Sequence, residues 1–316
     1  MSTERVEQLS DGLLAVDTMT AGMEKVTAGY LLQAPRPTLV ECGPALSIDH
    51  LVESLRGLGM DPDDLAYLVV SHIHLDHAGG AGDVLEAFPS ATVVVSEVGA
   101  RHLVDPERLN ASSRRVYGEL MDTVYGECTP IAQERVLGVA DGDRLDLGDG
   151  RTLELLYTPG HAKHHISALD SDTGALFVGD SAGVRMPGMS AIRPAMPPPD
   201  FDLVLAERTL QRYLALDPTT VYLAHYGAVD PPQEALTQAL DTMLSWVEVA
   251  DEAWHEHREI DHIAETLAHR FASEIEPDAD PEVQARLELL NGYRSNAMGL
   301  ARYLQLRDEG RTTAPS

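Results

Sequence analysis

His72, His74, Asp76 and His77 place three imidazoles and one carboxylate within six positions of the run Ser71-His72-Ile73-His74-Leu75-Asp76-His77-Ala78-Gly79-Gly80. Imidazole nitrogens and carboxylate oxygens are the donors that hold borderline divalent ions, zinc above all. On an extended strand His72, His74 and Asp76 share one face and His77 takes the other, whereas a loop can bring all four together. A His-rich surface loop is the bland alternative, and the density of donors argues against it.

Such donors need a rigid lead-in. Leu65 to Val70 is apolar and β-prone and reads as a buried strand, with Gly79 and Gly80 allowing a sharp turn beyond the cluster. Upstream, Val6 to Val16 alternates around Asp11-Gly12 as a hairpin. Val26 to Gln33 and Thr38 to Cys42 read as strands joined through Pro35-Arg36-Pro37. Ser47 is placed to cap a helix running to Arg56. Asp83 to Ala87, residues 98–104 and residues 111–125 read as helices, and Thr92 to Ser96 as a strand. A run of strands ends at Tyr157, followed by a hairpin of Ile166 to Leu169 with Ala175 to Val178. A helix over Asp202 to Leu216 and a strand over Val221 to Leu223 come next. Between them and the hairpin, residues 185–200 hold Arg185, Met186, Met189, Met196 and five prolines, a stiff loop that serves equally well as a pocket wall or as a connector. From Pro231 the pattern is helical, over residues 233–258, 261–274 and 281–309. The expected division is a domain at 1–230 and a helical extension at 231–316. His255 and His257 in that extension are two apart, so they do not share a helix face and read as solvated residues.

The pattern His-x-His-x-Asp-His after an apolar strand resembles the metallo-β-lactamase-fold hydrolases. Three later motifs carry the resemblance on in order: Thr158-Pro159-Gly160-His161, Phe177-Val178-Gly179-Asp180, and Leu223-Ala224-His225-Tyr226-Gly227. It spans residues 5 to 230 and implies an αββα sandwich with the C-terminal helices as an addition. It also implies two ions: one on His72, His74 and His161, one on Asp76, His77 and His225, with Asp180 bridging them. A pair of ions sharing a water lowers its pKa towards neutrality, and the hydroxide attacks without a covalent protein intermediate. Asp76 then orients that hydroxide and takes its proton. The donor types favour two zinc ions, with manganese or iron as substitutes. Flavodiiron relatives usually place Glu where His74 stands, and persulfide dioxygenases use one iron and part of this set.

The chain departs from the family at Glu41-Cys42-Gly43, where an Asp-Thr-Gly-like segment is usual. The acid is one methylene longer, which puts its hydrogen bond to a ligand histidine in question. Cys42 reads as a small buried thiol. His165 matches a position often held by His in the glyoxalase II-like and lactonase-like branches and reads as a support for the ligands. Arg185, Met189 and Tyr226 are candidates for substrate contact, and Tyr226 reads equally well as a packed ring.

Composition narrows the classes. The chain of 316 residues carries 51 acidic against 23 basic residues, a net −28, with Lys25 and Lys163 the only lysines. Such a charge repels nucleic acid and anionic membrane at ordinary salt and resembles the screened acidic surfaces of halophilic proteins. Two cysteines supply no disulfide framework. No apolar run approaches a membrane span and the N-terminus lacks a signal-peptide core, so a soluble cytoplasmic protein is expected. The leading expectation is a hydrolase acting on a small ester, thioester or lactone, with a homodimer left open. A phosphodiesterase or nuclease is the second; only on the order of forty residues separate Asp180 from His225, too few for an inserted domain of the β-CASP kind. A non-catalytic metal-binding protein is the third.

Overall fold

The computed structural model describes residues 5–312. The chain divides into two compact units, one of Met1–Tyr157 with Ile166–Gly179, the other of Thr158–His165 with Asp180–Ser316.

The first unit holds two sheets. Strands β1 (Val6–Ser10), β2 (Leu13–Asp17), β3 (Ala28–Leu32), β4 (Thr38–Val40), β5 (Tyr67–Val69), β6 (Thr92–Ser96) and β7 (Val136–Val139) lie side by side in sequence order. Pairing is antiparallel from β1 to β4 and parallel from β4 to β7. The change of direction follows from the connections: the links among β1, β2, β3 and β4 contain no α-helix and reverse the chain, whereas the helices after β4 carry it back to start each parallel strand. Those helices are α1 (Ile48–Gly57), α2 (Leu75–Ala78), α3 (Ala81–Ala87), α4 (Glu97–Val104) and α5 (Glu107–Tyr117). Along β5 and β6 the residues alternate. Leu68, Val70, Val93 and Val95 share a buried cluster with Leu51 and Leu55 of α1 and Val84 and Leu85 of α3, while Val69 and Val94 turn to the other face. Both faces are covered, which is why the sequence here is continuously apolar.

The second sheet of this unit contains the antiparallel meander β8 (Asp143–Gly148), β9 (Arg151–Tyr157), β10 (Ile166–Asp170) and β11 (Ala175–Phe177). Tyr30 of β3 meets Phe177 of β11 with ring centroids 5.3 Å apart, so the two sheets face each other through their aromatic side chains. The expected αββα class, with a helical C-terminal part, is the observed one.

The second unit contains α6 (Leu203–Leu216), capped by the Asp202 side chain accepting from Leu205 N–H, then the hairpin β12 (Thr220–Leu223) and β13 (Gly227–Val229). Four helices follow: α7 (Pro232–Glu256), α8 (Ile260–Arg270), α9 (Glu282–Asn291) and α10 (Tyr293–Asp308). The reading of one helix over 281–309 is corrected: Gly292 is extended, at φ −62° and ψ 155°, and separates α9 from α10. Likewise the helix expected over 111–125 is in fact α5 ending at Tyr117, followed by a separate turn at Met121–Tyr125. Ser47 precedes α1 as expected, but its hydroxyl donates to Met19 O instead of capping. None of the described helices is long and apolar enough to cross a membrane.

Candidate metal centre

In the first unit the chain leaves β5 already fixed. Ser71 N–H donates to Glu41 Oε2 at 3.3 Å and Ser71 O accepts from Ile166 N–H at 2.8 Å. His72 follows fully buried, with Nδ1 2.9 Å from Ser71 Oγ and Nε2 2.8 Å from Nδ1 of His74. His74 is the N-cap residue of α2, whose single turn presents Asp76 and His77. His77 Nε2 stands 3.6 Å from Asp76 Oδ2, and its Nδ1 stands 3.3 Å from Glu41 Oε1. The longer acid therefore does reach a cluster histidine. It does so from a backbone held at φ 66°, the left-handed region that a glutamate rarely enters. Cys42 donates from Sγ to His77 O, and burial, followed by the charge of Glu41, pushes its thiol well up. It stays a neutral packed thiol, as expected.

Gly79 and Gly80 are required for space and not for a turn. An added Cβ would lie 2.3 Å from Leu75 O at Gly79 and 2.6 Å from Ile48 Cδ1 at Gly80. Tyr125, unremarked in the sequence, is buried against Tyr117, and its hydroxyl pKa is raised by burial and then by the charge of Asp76.

In the second unit the segment Thr158–His165 carries His161, whose Nδ1 donates to Ala195 O at 2.9 Å, so that Nε2 keeps its lone pair. That Nε2 lies 3.8 Å from Asp180 Oδ2, and His225 Nε2 lies 3.4 Å from Asp180 Oδ1. Each carboxylate oxygen of Asp180 thus addresses a different histidine. His165 is fully buried; its Nε2 accepts from Asp180 N–H at 3.3 Å and its Nδ1 lies 2.9 Å from Thr158 Oγ1. The acceptor role of Nε2 assigns the proton to Nδ1, which donates to Thr158. His165 therefore holds the backbone of Asp180 in place. Arg185 N–H donates to His225 O and Tyr226 N–H to Arg185 O, so the two chain segments run side by side. The Arg185 and Tyr226 side chains are half-buried, whereas Met189 is buried with Met186 against Val283 and Leu287.

The separations test whether these groups suit a cation. Two donors each about 2.1 Å from one tetrahedral ion stand roughly 3.4 Å apart. The nitrogen–oxygen distances of 3.4, 3.6 and 3.8 Å are too long for hydrogen bonds and close to that spacing. A buried carboxylate flanked by imidazoles at such distances fits donors arranged around cations better than a hydrogen-bonded network. Among the described residues, the candidate metal-binding groups are drawn from His72, His74, Asp76 and His77 of the first unit and His161, Asp180 and His225 of the second.

The family model described as the metallo-beta-lactamase superfamily matches residues 30–225. A metallo-beta-lactamase fold-containing protein of Sulfurisphaera tokodaii is 35% identical over 190 residues, 59% of this chain and 69% of that protein. The N-acyl homoserine lactonase AttM of Agrobacterium fabrum is 34% identical over 130 residues, 40% of this chain and 44% of the lactonase. A putative diflavin flavoprotein of Thermosynechococcus vestitus is 34% identical over 157 residues, 49% of this chain and 23% of that protein. Among solved structures, an archaeal superfamily protein of Sulfolobus tokodaii aligns with a TM-score of 0.69 at 26% identity, covering 92% of this chain and 98% of the other.

Proposed function

Since the chain belongs to the metallo-β-lactamase superfamily, we propose that it is a hydrolase using two divalent ions, zinc by donor type, on a small ester, thioester or lactone. His72, His74 and His161 would hold one ion, Asp76, His77 and His225 would hold the other, and Asp180 would serve both. The observation that carries this reading is the double aim of Asp180, with Oδ1 3.4 Å from His225 Nε2 and Oδ2 3.8 Å from His161 Nε2. A carboxylate whose two oxygens face different histidines suits a place between two ions.

Bound ions of this kind supply an acidified water and draw electron density from the scissile carbonyl. The chain's own groups do the rest. Asp76, half-buried in the first turn of α2, orients the attacking water and takes its proton. Ala195 O accepts the outward ring proton of His161 and keeps its other ring nitrogen as a ligand, and Glu41 sets its carboxylate beside Nδ1 of His77. The imidazole at 74 separates the chain from flavodiiron usage and supports hydrolysis over redox chemistry. AttM, named as a lactonase, supports the lactone class. The acidic surface, a net −28, sets a small-molecule substrate above nucleic acid.

The test is a substrate panel on zinc-loaded protein at low and high salt, containing S-lactoylglutathione, acyl-homoserine lactones, bis-p-nitrophenyl phosphate and short RNA. Turnover of a lactone or thioester is the expected result. Turnover of the phosphodiester or RNA alone assigns the second class, and one iron per chain that zinc does not displace assigns the dioxygenase class.

A further inference from the structure

The C-terminal helices end in a clamp on the very loop that supports His161. Residues 184–196 have almost no regular structure of their own, yet the part from Met189 to Met196 is fastened to the C-terminal region. Met189 bridges Ile275. Arg193, fully buried, donates from Nε to Glu274 Oε2 at 2.9 Å and from a terminal nitrogen to Tyr293 Oη at 3.0 Å, with its guanidinium 4.2 Å from the Tyr293 ring centroid. Glu274 Oε1 in turn accepts from Trp246 Nε1 at 3.0 Å. Next along the chain, Asn291 Nδ2 donates to Pro194 O at 3.1 Å, and Met196 N–H donates to Asn296 Oδ1 at 2.7 Å.

Between those two fastenings sits Ala195, whose carbonyl accepts from His161 Nδ1. The seat is backbone on backbone: a Cβ built on Gly299 of α10 would fall 1.8 Å from Met196 O. The amide of Asn296 is itself satisfied, with Nδ2 donating to Asn291 Oδ1 at 2.6 Å and to Gly292 O at 3.2 Å. Nothing in this set is free to rotate, so the direction of the Ala195 carbonyl is set by α9 and α10.

We propose that Asn291, Asn296 and Gly299 are positioning residues for the metal centre, acting through the Ala195 carbonyl to fix the ring and tautomer of His161. The proposal rests on the assignment of His161 as a metal ligand. It gives the C-terminal helices a role in metal binding in addition to packing. Outer supports of this type change metal affinity by about ten- to a hundredfold when removed.

The experiment compares wild type with Asn296→Ala, Gly299→Ala and the exposed control Arg294→Ala. Circular dichroism checks folding, zinc binding is read by chelator competition, and the His161 ring proton is followed by NMR in metal-free protein. Asn296→Ala, the milder change, stands in if Gly299→Ala does not fold. The expected result is one zinc weakened by about ten- to a hundredfold, the second unchanged, and loss of the slowly exchanging Nδ1 proton. Wild-type affinity for both ions together with a retained ring proton in a folded Asn296→Ala overturns the proposal. If the wild type binds no zinc, the metal reading fails, and the ring-proton measurement still decides whether α9 and α10 position His161.

Discussion

Glu41 Oε1 lies 3.3 Å from His77 Nδ1, and both side chains are buried. Its other oxygen accepts from Ser71 N–H, so one carboxylate supports both ends of the His72 to His77 cluster. Glu41→Gln keeps the shape and removes the charge that favours a proton on Nδ1 of His77. Zinc affinity is expected to fall by about ten- to a hundredfold, read by chelator competition. Unchanged affinity would show that Glu41 serves packing alone.

Asp180→Asn replaces one carboxylate oxygen with an amide donor that cannot ligate. At least one ion is expected to be lost, and hydrolysis to fall on the order of a hundredfold or more. His255→Ala, exposed on α7, is the matched control and should leave both unchanged. Elemental analysis together with the rate on a substrate the wild type turns over checks this, and two retained ions with full activity refute the bridging role.

Thr158→Val removes the acceptor of the buried His165 Nδ1–H without changing side-chain volume much. Leaving that donor unpaired is expected to destabilise by about 1–3 kcal/mol. Urea unfolding measures the loss, and an unchanged midpoint would show that the Thr158–His165 hydrogen bond adds nothing to stability.

Asp170 provides a pH-dependent case away from the centre. Burial raises its carboxyl pKa, but the hydrogen bonds from Arg151 and then Thr173 outweigh that and hold it below the ordinary value of 3.8. A group with a depressed folded pKa stabilises above its unfolded pKa, and the benefit fades as pH falls through the folded one. Arg151→Ala is therefore expected to cost about 3 kcal/mol at pH 7. The gap from wild type should narrow below about pH 4. Denaturation at several pH values checks it; a gap independent of pH would place the effect in packing.

The seven candidate donors are legible in the sequence because each sits in a short run whose neighbours also read as a strand end or turn. The reach of Glu41 is not, since a longer side chain is compensated by a left-handed backbone that no residue pattern announces. Ala195 escapes notice for a simpler reason: its contribution is a carbonyl, and every residue has one. The loop at 185–200 reads as pocket wall or connector, and the burial of Met186 and Met189 against α9 depends on contacts about ninety residues away. The break between α9 and α10 falls at one glycine within an otherwise helical pattern.

The segment Thr158–His165 sits at the tip of the β9–β10 hairpin, between Tyr157 and its partner Ile166, yet it belongs to the other unit. Its fastenings come later in the chain: Gly160 O accepts from Asp202 N–H, Pro159 O from Thr209 Oγ1, and Ala195 receives His161. During synthesis from the N-terminus, β9 and β10 can pair as soon as residue 170 has emerged. The hairpin tip must then wait, with His161 lacking its acceptor until Ala195 has been made and without the clamp on that acceptor until α10 exists. The final orientation of His161 thereby becomes a late event in folding, reached only after α10 has been made.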